Sequence, residues 1–125
     1  MNYVYTKNAP DAIGPYSQAI VTGNLVFTSG QIAINPASGA VEASTIEEQT
    51  EQVCKNLKAV LTEAGSCLEN VIKTTCFLSD MADFAAFNQV YGKYFTEKPA
   101  RSCVAVKTLP KNVLVEVEAV AVIDK

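Results

Sequence analysis

The last quarter of the chain most constrains its fold. Val113 to Ile123 is a run of β-forming residues broken only by Glu116 and Glu118. Residues two apart in a strand share a face, so both glutamates lie on one side with Leu114, Val120 and Val122. Ahead of this run, Arg101 opens a shorter apolar stretch, Cys103 to Val106, and Leu109-Pro110-Lys111-Asn112 reads as a turn. The spacing predicts a hairpin across loop 108–112. Arg101 and Cys103 share a face of the first strand. In one register Arg101 meets the acidic face, where a guanidinium among carboxylates on apolar surface can hold a small anion next to a general base. The opposite register separates them, and alternation alone does not choose.

Upstream, residues 3–6 and 17–22 read as short strands around the Pro10 and Gly14-Pro15 turns. Leu25 to Ile34 reads as a strand ending near Asn35-Pro36. Gly30 inside it signals either a bulge or close backbone approach, or a packing glycine. Ser44 with Glu47 has capping-box spacing, which predicts a helix from about residue 44. Ile46, Val53, Leu57, Val60, Leu61 and Ala64 mark its apolar face, and Gly65 ends it. Val71 to Leu78 is a strand. Asp80 caps a second helix running to about Phe95, striped by Phe84, Phe87, Val90, Tyr91 and Tyr94. Pro99 prevents its continuation. The order predicts one α+β domain, residues 1–125: a two-layer sandwich of a mixed sheet with two helices on one face. The uncovered face, with Val120 and Val122, is a candidate subunit contact.

With 49% hydrophobic residues the chain is expected to be ordered and globular. Its net charge of −3 gives no basic patch, which argues against broad nucleic-acid binding. The start, Met1-Asn2-Tyr3-Val4-Tyr5, lacks the pattern of a signal peptide, and no apolar stretch is membrane-spanning in length. A cytoplasmic protein is expected. Cys54, Cys67, Cys76 and Cys103 have no paired spacing and the chain has no histidine, so neither a metal site nor disulfides are expected. The first three read as small packing residues.

Without histidine, Ser-His-Asp and Cys-His mechanisms are excluded, and Cys103 has no histidine to activate it. Acid–base work falls to carboxylates, tyrosines, lysines or water. Arg101 is the only arginine; its planar fork matches a carboxylate bidentately. It reads either as a substrate anchor or as the structural partner of Glu116 or Glu118. Glu116, if partly buried, would have a raised pKa and serve as a base near neutrality. Tyr16, after a Gly-Pro turn, reads as a loop anchor, and Asn88 as a helix-surface amide.

Several blocks together resemble the Rid family of enamine/imine deaminases, the RidA/YjgF group. They are Ala12-Ile13-Gly14-Pro15-Tyr16-Ser17-Gln18-Ala19, Phe27-Thr28-Ser29-Gly30-Gln31-Ile32, Val71-Ile72-Lys73-Thr74-Thr75, Asp83-Phe84, and Asn88 through Tyr91. They culminate in Pro99-Ala100-Arg101-Ser102-Cys103-Val104, then Leu109-Pro110, then Val115-Glu116-Val117-Glu118. The resemblance implies a chorismate-mutase-like fold and a homotrimer with sites in the clefts between subunits. It implies that Arg101 anchors a substrate carboxylate and that Glu116 positions or activates the hydrolytic water. Tyr16, Ser29, the Gly30 amide and Asn88 would line the pocket, and the Cys103 backbone would face the imine nitrogen. One departure stands out: only Lys98 separates the helix end Tyr94-Phe95-Thr96-Glu97 from Pro99, where many members carry several more residues. That affects the pocket rim.

The implied activity is hydrolysis of 2-imino acids or their enamine tautomers, such as 2-iminopropanoate and 2-iminobutanoate, to 2-keto acids and ammonia without a cofactor. A rival from another class is a non-enzymatic metabolite-binding or regulatory protein using the same Arg101 cleft. An endoribonuclease role, ascribed to some relatives, is disfavoured by the acidic charge and the missing histidine.

Overall fold

The computed structural model describes residues 1–123. In chain order these form β1 (Asn2–Val4), β2 (Ala19–Thr22), β3 (Leu25–Thr28), β4 (Ile34–Asn35), β5 (Ala40–Val41), α1 (Ile46–Glu63), β6 (Val71–Leu78), α2 (Phe84–Tyr94), β7 (Ala100–Ala105) and β8 (Val115–Val122). Six strands make one mixed sheet in the order β1-β2-β3-β8-β6-β7, and β4 pairs with β5 apart from it. Both helices cover one face, giving the expected α+β two-layer sandwich.

Local chemistry sets the helix limits. Thr45 rather than Ser44 is the N-cap of α1: its hydroxyl accepts from the Glu48 amide at 3.1 Å. The box sits one residue late because Ser44-Thr45 and Glu47-Glu48 are both doubled, so the spacing alone fits two frames. Gly65, at φ 88°, ends the helix as expected; that left-handed turn favours glycine. Asp80 Oδ1 accepts from the Ala82 amide and caps a 3-10 turn that leads into α2. Val53, Leu57, Val60 and Leu61 of α1 and Phe87 of α2 pack on Cys76 and Leu78 of β6 and Val115, Val117 and Ala121 of β8, all buried.

Two strand expectations are corrected. The segments 100–105 and 115–122 do not form a hairpin. Strand β6 lies between them, antiparallel to β8 and parallel to β7, with Thr74 level with both Arg101 and Ala119. The β6-α2-β7 unit is a crossover, the connection that parallel neighbours require. The strand beginning at Leu25 stops at Thr28; beyond it only a single bridge joins Gln31 to Val117.

The uncovered face follows the alternation read from the sequence. Tyr3, Ile20, Phe27, Val120 and Lys73 are successive register partners across five strands of it. Tyr3 and Phe27 remain exposed, as does Val104. No helix among the described residues is long and apolar enough to cross a membrane.

Candidate functional site

Arg101 lies on edge strand β7 and points to the helix-covered face, as its pairing with buried Thr74 requires. Its guanidinium donates to Asn88 Oδ1 at 2.7 Å. Its Cζ sits 5.0 Å from the ring centroid of Tyr91, 5.4 Å from Phe84 and 6.0 Å from Phe87. Such contacts hold a cation in place without cancelling its charge. The Tyr91 hydroxyl is 2.6 Å from the Thr74 hydroxyl, and its ring stacks on Phe95 at 4.5 Å. Burial pushes the Tyr91 phenol up to about 12, with the Thr74 bond acting against the shift, so it stays protonated. Asn88 is therefore not an idle surface amide. Among the described residues the guanidinium meets an amide and rings, and the structural pairing with Glu116 or Glu118 is not formed.

Glu116 lies on β8, on the opposite face. It is level with Phe77 of β6, whereas Arg101 is level with Thr74, two strands from β8. Sheet spacing alone puts roughly 10 Å between those two strands. Burial raises the Glu116 pKa above its ordinary value, and the nearby Glu118 charge adds to the rise. Gly30 explains that burial: a β-carbon there would lie 2.8 Å from Cδ of Glu116. The interior glycine is thus a close approach to the carboxylate, and it lies two residues beyond the end of β3.

Tyr16, Gly30 and Glu116 line a cleft of about 100 Å³ together with Asp11 and Gln18. The Tyr16 side chain is half-exposed, with its hydroxyl 3.4 Å from the Ile13 amide. Gln18, which the sequence reading passed over, fixes one wall: it accepts from the Thr6 amide at 2.7 Å and donates to the Pro10 carbonyl at 2.8 Å. The Ser29 hydroxyl donates to the Ser17 carbonyl at 2.6 Å and so braces the loop beside Gly30. Cys103 is on the Arg101 side, level with Cys76. Burial pushes the Cys103 thiol up although Arg101 opposes it, and burial raises Cys76 to about 12. Neither is a ready thiolate.

The candidate site residues thus fall into two separate groups. Arg101, Asn88 and Cys103 lie on the helix side at the sheet edge; Glu116, Gly30, Ser29 and Tyr16 lie on the open side and its loops. Arg101 and Asn88 line their own groove of about 350 Å³ with Lys98. A larger groove of about 590 Å³ between the helices, lined by Glu47, Glu51, Lys55 and Lys93, contains none of these residues. No cluster of three or more metal-ligating side chains occurs among the described residues.

Residues 6–123 match the family model described as endoribonuclease L-PSP. The chain belongs to that family, which includes YjgF and RidA. A RutC family protein of Pyrococcus horikoshii is 54% identical over 94% of both chains. A Thermotoga maritima structure, described as a candidate endoribonuclease, superposes with a TM-score of 0.97 at 51% identity, covering 100% of this chain and 99% of the other. The structure of E. coli TdcF with bound serine superposes with a TM-score of 0.93 at 42% identity, covering 98% of each. The names within this one family range over endoribonuclease, RutC family protein, regulator and translation initiation inhibitor, so family membership by itself does not select a reaction.

Proposed function

We propose that the protein hydrolyses 2-imino acids or their enamine tautomers to 2-keto acids and ammonia, as a homotrimer in the cytoplasm. The observation that carries this is Arg101: the only arginine, locked by an amide and aromatic rings with no carboxylate of a described residue on it. A planar cation held ready in this way suits a substrate carboxylate. The imine carbon then accepts water. The water oxygen becomes the ketone oxygen, its two protons end on nitrogen, and the C–N bond breaks to release ammonia. Glu116, whose pKa burial raises above the ordinary carboxylate value, takes a proton from the water and returns it. The Cys103 backbone faces the imine nitrogen and Tyr16 closes the pocket.

The two half-sites face away from each other, so this chemistry needs Arg101 of one subunit opposite Glu116 of the next. A ring of three copies joined through the open sheet faces provides that, and the exposed Tyr3, Phe27 and Val104 are suited to such a contact. The serine bound to TdcF supports recognition of an amino-acid carboxylate and equally suits a second reading, a binder that senses amino or keto acids without turnover.

A coupled assay decides between them: imine is generated in situ from several amino acids and keto-acid release is followed. The enzyme reading expects accelerated release, and a roughly 10-fold or greater fall in kcat/KM for Arg101→Lys, which keeps the charge but loses the fork. No acceleration with any imine, together with measurable ligand binding, favours the binder.

A further inference from the structure

We propose that Lys98 makes this site prefer 2-imino acids that carry a second carboxylate, the four- and five-carbon imino dicarboxylates, over alkyl imino acids. The inference rests on Arg101 as the anchor of the first carboxylate. Its starting point is charge. The protein has 13 acidic residues against 10 basic ones. Yet the groove that holds Arg101 and Asn88 has Lys98 as its other charged residue, and no acidic side chain lines it. A monocarboxylate would neutralise one of the two charges and leave the lysine facing alkyl substituents. A dicarboxylate would match both.

The backbone places Lys98 there at some cost. Its φ is 54°, in the left-handed region that side-chain-bearing residues seldom adopt, and it precedes Pro99, a position that ordinarily favours extended backbone. Backbone held in such sparsely populated regions persists where its surroundings over-determine it. Here the connection from α2 to β7 is short. Buried Phe95 fixes its start, the Lys98 amide donates back to the Phe95 carbonyl at 3.4 Å, and Pro99 leads straight into β7. The backbone of Lys98 is thereby held three residues from that of Arg101, at most about 10 Å along an extended chain, within reach of a flexible lysine stem. The groove, about 350 Å³, has room for a substrate longer than a three-carbon acid.

The test compares kcat/KM for the imines of glutamate and aspartate with that for the imine of alanine, in the full-length protein. The wild type should favour the dicarboxylic imines. Lys98→Gln, which removes the charge and keeps the stem, should lower the dicarboxylate-to-alanine ratio by about 5-fold, the scale of one partly exposed ion pair. Lys98→Glu should lower it further. An unchanged ratio in both variants, with wild-type thermal unfolding, overturns the proposal. If no imine is turned over, the activity reading fails on its own. Calorimetric binding of 2-ketoglutarate against pyruvate then decides the Lys98 question: a preference for 2-ketoglutarate lost in Lys98→Gln supports it, and equal binding or a preference that survives the substitution overturns it.

Discussion

The two proposed half-sites are built in opposite ways. Around Arg101 side chains brace one another: Asn88 holds the guanidinium, Tyr91 lies beneath it, and the Thr74 hydroxyl pins Tyr91 from a buried strand. Around Glu116 the support is backbone and loop, with Gly30 close against the carboxylate, Tyr16 half-exposed, and Gln18 tethering residues 6–10. The difference follows the proposed tasks. An anchor must keep one orientation, which packed aromatic rings and a hydrogen bond supply. A base must gain and lose a proton, which partial burial without a cationic partner allows. The first half-site is therefore expected to resist small changes, and the second to fail with them.

The largest effect should come from Glu116. Glu116→Gln keeps the shape and removes the base, so turnover should fall by about 10²- to 10⁴-fold while a carboxylate ligand still binds. The wild-type rate should decline on the acid side at a pH above the ordinary glutamate value of 4.5, and the variant should lose that limb. Stability runs the other way. A raised folded-state pKa means that the carboxyl stabilises the fold fully below its ordinary value and loses that contribution as pH rises through the raised one. Glu116→Gln should thus gain stability over the wild type at neutral pH and not at pH 4, which denaturant titrations at the two pH values will show.

Gly30→Ala should come next. Its new methyl group would displace the carboxylate with little change in the fold, and a shift of about 1 Å costs roughly 10²-fold. Wild-type turnover in that variant would mean that the close approach is mere packing.

The smallest effect on catalysis is expected for Tyr91→Phe. The ring stays beneath Arg101, so KM should change only slightly. Thr74 loses its phenol partner inside the core, which should cost about 1–3 kcal/mol in urea unfolding. A large rise in KM with unchanged stability would reverse the roles assigned to ring and hydroxyl.

Much of this contrast was legible in the sequence, because local rules govern much of it. Alternation alone put Glu116, Glu118, Val120 and Val122 on one face, and β6 and the stop at Gly65 lie where caps and apolar spacing put them. The predicted hairpin failed for a physical reason. Two apolar runs across a short turn satisfy the local rule, but β6, brought in by the α2 crossover, takes the place between them. That sheet order depends on contacts far apart in sequence, and it decides that Arg101 and Glu116 face apart. The brace around Arg101 was hidden for the same reason: Tyr91 and Thr74 read singly as a stripe residue and a strand residue. Lys98 was visible only as the residue left in a shortened loop, since its left-handed backbone has no sequence mark.

In the proposed homotrimer Arg101 of one subunit works with Glu116 of another. Mixing two variants, Arg101→Ala and Glu116→Gln, through co-expression or subunit exchange probes that pairing. Each homotrimer alone should be nearly inactive. In a random one-to-one mixture about three quarters of the trimers are mixed, and each mixed trimer holds one site with both native residues out of three, if each site takes one residue from each neighbour around the ring. Activity should therefore return to about a quarter of the wild-type value. A mixture that forms mixed trimers but remains as inactive as its parents would rule out the shared site and place both residues in the same subunit's site.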